Sequence, residues 1–252
     1  MIYYKFNLIV FSVSFKHDKV LIVDFLFLGR IKWLQGDILD NQFSSIDTAL
    51  LHIVNCIGVK PHGLSADLAQ HYPYCNVYAK RKPIGKLNRA DRRCRPFPGT
   101  IGVSSPPDDD ENLPFIVSLV GQFYMGKEKG KNIMTKKLLR QLLEDYDEKR
   151  QNTLFGNQTN NNADLHLLTG LREDTAKHRL YWFKKSLQQL RDFIVTRNIK
   201  RIVFPFKIGC GFAGGDWSRD YYPTIEEFSS SLDRSVEVVI ICKNSDEKTT
   251  SH

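Results

Sequence analysis

The run Leu51 to Cys56 constrains this chain more than any other segment. It reads as a continuous apolar strand of the kind buried on both faces, which belongs to parallel sheets covered on each side. A turn over Gly58 to Gly63 follows, and then a helix expected from about Leu64 to His71, which Pro73 ends. The clearest periodicity comes later. Leu180, Phe183, Leu187, Leu190 and Ile194 step by three and four residues, the apolar stripe of a packed amphipathic helix. A strand at Arg201 to Phe206, the loop Gly209 to Gly215, a helix after Pro223 and a strand at Val236 to Cys242 complete that half. Short strands are also expected at Ile31 to Leu34, Pro98 to Val103 and Phe115 to Gly121, the last two separated by the solvated tract Ser104 to Glu111. Strands alternating with helices argue for a three-layer α/β domain with a largely parallel sheet.

Composition removes several classes. With 252 residues, 42% apolar and 25% charged, the chain can build one good core and is neither disordered nor a disulfide-dense mini-domain. No apolar run reaches the length of a transmembrane helix, so no membrane partner is expected. Five cysteines (Cys56, Cys75, Cys94, Cys210, Cys242), with no C-x-x-C and no zinc-finger spacing, read as reduced thiols. Neither a metal nor a cofactor is expected. The stretch Phe6 to Phe15 after Lys5 has the style of a signal h-region, but charged residues follow with no small-x-small cleavage site. The expected compartment is therefore intracellular, cytoplasmic or nuclear. Residues 1–30 form an apolar extension, 31–243 the domain and 244–252 a disordered tail. Residues 134–149 look helical, and 151–164, rich in Gln, Asn and Thr, read as a flexible insertion.

Nearly all of the net charge of +8 sits in residues 80–95, where Lys80, Arg81, Lys82, Lys86, Arg89, Arg92, Arg93 and Arg95 face Asp91 alone. Solvated loop charge is one account. An electrostatic landing site for nucleic acid or another polyanion is the other.

Three segments carry possible chemistry. The loop Ile208-Gly209-Cys210-Gly211-Phe212-Ala213-Gly214-Gly215-Asp216-Trp217 follows a strand, and its glycines would let the backbone approach a phosphate. Asn55-Cys56-Ile57-Gly58, then His62-Gly63-Leu64-Ser65, join a strand end to a helix start, where orphan amides bind anions. Gly36-Asp37-Ile38 ends a strand with a carboxylate able to accept from an exocyclic amine.

Taken in chain order, from Gly36-Asp37-Ile38 through the Asn55 and His62 segments to the glycine loop, the three resemble the macro domain family, over about Ile31 to Cys242. The pattern is nearest the ADP-ribose 1''-phosphate phosphatase branch, and antitoxin-type macro domains share the same two loops. The resemblance implies a three-layer α/β/α macro domain with a mixed, largely parallel central sheet, monomeric, with ADP-ribose or a derivative at the strand ends. It implies that Asp37 holds the adenine amine and Ile38 a backbone contact. Asn55, Cys56, Gly58, His62, Gly63, Leu64 and Ser65 would line the distal ribose and phosphate. Gly209, Cys210, Gly211, Phe212, Ala213, Gly214 and Gly215 would wrap the diphosphate. The implied activity is hydrolysis of ADP-ribose 1''-phosphate or of an ADP-ribosyl linkage at the terminal ribose. The alternatives are a reader without turnover and a nucleic-acid-associated protein using 80–95, a segment that could equally meet poly-ADP-ribose.

The departures bear on catalysis. MacroD-type hydrolases carry a second Asn where this chain has Gly58 and an Asp near Ser65. The glycohydrolase type uses a Lys after the strand that ends here at Val103-Ser104, and an Asp about where Ala213 stands. The usual Gly is Pro61. The candidate catalytic groups are His62, as general acid or water-positioning group, and Asp216, whose other reading is a pin for the loop beside Trp217.

Overall fold

A computed structural model of the chain describes residues 30–83, 86, 88–126, 174–211 and 213–243. Residues 1–29, the helix expected at 134–149, the insertion at 151–164, Phe212 and the tail 244–252 lie outside the described residues. Six strands form one sheet: β1 (Ile31–Gln35), β2 (Thr48–Asn55), β3 (Ile101–Ser104), β4 (Phe115–Gln122), β5 (Arg201–Pro205) and β6 (Glu237–Cys242). Their order is β1-β6-β5-β2-β4-β3, and every pairing is parallel except β3 with β4. The sheet is mixed and largely parallel.

Alternation along the strands sorts the core onto two faces. Ala49, Leu51, Val117, Leu119, Ile202, Phe204, Val238 and Ile240 pack on one side against helix α2 (Ala176–Arg197) and helix α3 (Tyr222–Ser230). Leu50, Ile116, Val203 and Val239 pack on the other against helix α1 (Leu64–His71), through Leu68, with Phe43 and Tyr72. Helices on both faces make the three-layer α/β/α architecture.

Local chemistry sets the helix ends. Helix α1 starts at Gly63, whose φ of 53° and ψ of −136° are tolerated by a glycine, and stops before Pro73. Helix α2 is capped by Thr175, whose hydroxyl accepts from the His178 amide, and ends at Asn198 in the left-handed region. Phe183, Leu187, Leu190 and Ile194 of its stripe are buried, joined by Trp182, while Leu180 is half-buried. Each of these buried apolar side chains contributes about 1.5–3 kcal/mol. Strand β2 begins three residues earlier than the apolar run, because Thr48 pairs with Arg201, the first residue of β5. The antiparallel edge strand β3 is shorter than expected and follows Gly99, a turn residue with φ of +83°.

Candidate functional site

The strand order determines where a cleft can open. From β2 the chain leaves toward β3 and β4 on one side of the sheet, and from β5 it leaves toward β6 on the other. Adjacent parallel strands whose connections diverge leave a crevice at their carboxyl ends, the place where open α/β sheets bind ligands. A cleft of about 380 Å³ lies there. After β2 it is lined by His62, Gly63, Leu64, Ser65 and Asp67, and after β5 by Phe206 to Gly209, Gly211 and Ala213. Gly36, Ile38, Ile241 and Lys243 close the β1–β6 end, and His52, Ile53 and Gln122 reach it from β2 and β4.

The glycines divide into two kinds. A Cβ on Gly63 or Gly211 would meet no atom within 4 Å, so at both positions backbone faces open space inside the cleft. Gly209 and Gly215 are different: a Cβ on either would run into the Tyr221 ring, and Gly209 also holds φ of +78°. These two are glycines because the Tyr221 ring packs against the loop at both positions. The first-turn amides of Leu64 and Ser65 have no carbonyl partner within helix α1 and stand at the cleft wall.

Ile38, His62, Gly63, Leu64, Ser65, Gly209, Gly211 and Ala213 are thus brought together in the cleft wall. The other candidates stand around it. Asp37 accepts from the Leu39 amide at 3.1 Å and pairs with Lys243 at 2.8 Å, flanked by the cleft residues Gly36 and Ile38. Burial pushes its carboxyl up, but Lys243 and the Leu39 and Ile38 amides outweigh this and hold it below the ordinary carboxylate range. Asn55 clamps its own turn: Oδ1 accepts from the Gly58 amide at 2.6 Å, and a Cβ on Gly58 would lie 2.9 Å from that oxygen. Cys56 is fully buried behind the turn. Cys210 is half-buried within the glycine loop, where burial first and the Asp216 carboxylate second push its thiol up to about 12, too high for a thiolate at neutral pH. Gly214, with φ of +72°, donates to the Gly211 carbonyl. Asp216 caps the turn Trp217–Tyr221 by accepting from the Arg219 amide at 2.9 Å.

Two buried arginines hold the cleft loops. Arg81 Nη1 donates to the carbonyls of Asn55 at 2.8 Å and Gly58 at 2.7 Å, with its guanidinium 4.3 Å from the centre of the Tyr78 ring. Arg179, 1% exposed, is paired with Asp174 at 2.7 Å. It also donates to the carbonyls of Gly126 at 2.8 Å and Ala213 at 2.9 Å, joining the loop after β4 to the glycine loop. In the basic segment, Arg81 and Arg95 are buried, and Arg95 donates to the Ala90 carbonyl. Lys80, Lys82, Lys86, Arg89 and Arg93 are exposed.

Sequence reasoning missed several lining residues: His52, Asp67, Gln122, Phe206, Lys207 and Lys243. His52 interrupts an otherwise apolar buried strand, a signal that was present in the sequence. Burial holds its imidazole down at about 4, so it is neutral at physiological pH. The others sit at strand ends whose neighbours depend on the sheet order.

No family model matches this sequence, and no curated protein matches it significantly. Several solved structures to which the chain is similar are macrodomains. The macrodomain of Mycobacterium tuberculosis DarG is 18% identical with a TM-score of 0.48, over 84% of this chain and 97% of that one. Thermosipho africanus DarTG in complex with ADP-ribose is 14% identical with a TM-score of 0.47, over 85% of this chain and 42% of that one. An Oceanobacillus iheyensis macrodomain variant with ADPR is 14% identical with a TM-score of 0.42, over 86% of each chain. Among the described residues no helix is long and apolar enough to cross a membrane.

Proposed function

We propose that this chain is a macro domain protein whose cleft binds ADP-ribose, and that it hydrolyses ADP-ribose 1''-phosphate or an ADP-ribosyl linkage at the terminal ribose. One observation carries the binding reading. Gly63 and Gly211, from the two loops that diverge at the switch point, present bare backbone to open space across one cleft. Bare backbone on two walls suits a diphosphate, which needs close approach of amides from more than one side. Ile38, Phe206 and Ile241 supply an apolar end suited to a base. Asp37, beside Ile38, is the acceptor we assign to the adenine amine.

For the chemical step, His62 is the group we nominate as general acid or as the holder of the attacking water. It stands exposed at the cleft rim next to Gly63, and Asp67 is the carboxylate that shares the lining. We assign Asp216 to the loop it caps. The test has two stages: calorimetric titration with ADP-ribose, and phosphate release from ADP-ribose 1''-phosphate by the parent and by His62→Ala. Binding with turnover that falls by about 10²–10⁴ in the variant supports the hydrolase. Binding without turnover makes the protein a reader, and no binding removes both.

We read the segment 80–95 first as a brace for the Asn55–Gly58 turn, because Arg81 and Arg95 are committed to internal carbonyls. A salt-dependent shift with RNA, lost on neutralising Lys82, Lys86, Arg89 and Arg93, would instead favour a nucleic-acid role.

A further inference from the structure

Between α1 and the sheet runs a chain of polar side chains that the binding reading leaves unused. His52 on β2 and Ser118 on β4 are register partners, so their side chains share the face that α1 covers. Ser118 Oγ lies 2.7 Å from His52 Nε2, and His52 Nδ1 lies 2.9 Å from Ser65 Oγ. The three residues are 1%, 2% and 8% exposed respectively, yet His52 and Ser65 form part of the cleft wall. The Tyr78 hydroxyl receives the Asn55 amide and side-chain N–H at 3.4 and 3.3 Å.

Counting donors and acceptors orients every proton in this chain. Ser118 has one side-chain hydrogen bond among the described residues, to His52. A buried hydroxyl that only accepted there would leave its own proton unsatisfied, at a cost larger than the bond is worth. Ser118 therefore donates to Nε2, and the neutral imidazole carries its proton on Nδ1 and donates it to Ser65 Oγ. Ser65 Oγ thus accepts from His52 behind it, while Ser65 lines the cleft in front.

We propose that Ser65 is a specificity-determining donor, its hydroxyl proton turned into the cleft to meet a phosphate oxygen of the ligand, with His52 as the positioning residue that holds it there. The same orientation makes Ser65 no nucleophile, since the nitrogen that would take its proton already carries one. The ligand class is an acceptor-rich anion. Its identity as ADP-ribose rests on the function proposed above, whereas the proton orientation does not.

Two measurements on the full chain test this. A long-range proton–nitrogen NMR spectrum of the unmodified protein at neutral pH should show His52 protonated at Nδ1 and bare at Nε2. The opposite tautomer overturns the proposal whatever the ligand. In ADP-ribose titrations Ser65→Ala should weaken binding by about 10- to 100-fold, the range for a lost bond to a charged acceptor. His52→Leu should lose several-fold, and the double variant should be no worse than Ser65→Ala alone. His52→Asn, which keeps a donor near the Nδ1 position, should recover most of the His52→Leu loss. Unchanged affinity in Ser65→Ala, or no recovery in His52→Asn with the fold intact, overturns the proposal. If the parent binds no ADP-ribose, the functional reading fails by itself. Inorganic pyrophosphate titrated into parent and Ser65→Ala then decides: weaker binding in the variant supports the donor role, and no difference overturns it.

Discussion

His52 should make the protein acid-sensitive by a calculable amount. Its side chain is 2% exposed, its two partners are hydroxyls, and burial lowers its affinity for a proton from the ordinary 6.5 to about 4. The unfolded chain protonates this residue as pH falls through 6.5, and the native protein does not until about pH 4. In that window the unfolded state holds more protons, so stability declines as pH falls and the whole contribution is lost by about pH 4. The difference between the two proton affinities is worth about 3 kcal/mol, a large part of the 5–15 kcal/mol that holds a domain together. The perturbation is His52→Asn, which removes the titration and keeps a polar group in place. The assay is urea unfolding of parent and variant from about pH 7 to about pH 4.5. Every other titrating group is shared, so the stability gap between the two proteins isolates His52. The gap should move in the variant's favour by about 2–3 kcal/mol over this range. A gap independent of pH would show that His52 is hydrated or already charged in the native state, and the burial argument would fail.

The two kinds of glycine should separate binding from stability. Gly211→Val should abolish ADP-ribose binding with a loss of stability below about 1 kcal/mol, because the new side chain enters open space; retained affinity would mean the ligand lies elsewhere. Gly209→Ala should instead lower the thermal midpoint, since its Cβ meets Tyr221 at a positive φ; an unchanged midpoint would contradict the packing described. Arg179→Met should cost about 3–5 kcal/mol, leaving Asp174 charged and buried and the Gly126 and Ala213 carbonyls without their donor. A cost under about 1 kcal/mol by chemical denaturation would show the pair to be dispensable. Leu190→Ala, at a fully buried position of helix α2, should cost about 2–5 kcal/mol in the same assay.

Much of the architecture was legible because periodicity and punctuation are local. Helix α1 occupies Leu64–His71 as expected, since Gly63 and Pro73 mark both ends within ten residues. The stripe from Phe183 to Ile194 was visible for the same reason. What stayed hidden depends on partners far along the chain. His52 meets Ser65 thirteen residues on and Ser118 sixty-six residues on, and nothing in the apolar run announces either. Arg81 and Arg95 look like the rest of a solvated basic tract, yet both are buried on carbonyls. Gly209 and Gly215 are expected from the sequence to wrap a diphosphate, and the Tyr221 ring gives both a packing reason that no local pattern states. Phe206, Lys207 and Lys243 reach the cleft because β5, β6 and β1 are neighbours, an order no local pattern states.

The hidden residues share a physical character. His52, Arg81 and Arg179 are polar groups taken out of water, each a cost unless its partners are in place. Apolar packing tolerates small slips of a loop, because a methyl group has no preferred direction. A guanidinium spread over the carbonyls of Asn55, Cys56 and Gly58 does not, because each hydrogen bond fails within a few tenths of an ångström or tens of degrees. Arg81 thus fixes the turn after β2 and Arg179 the loop after β5, while His52 fixes the first turn of α1 between them. The stretch of wall at Gly63, Ser65 and Gly211 is backbone and one hydroxyl, with no long side chain of its own to adapt, so its geometry depends on this kind of support. The core of the sheet supplies stability, and the buried polar set supplies the geometry in which Gly63, Ser65 and Gly211 face the same space.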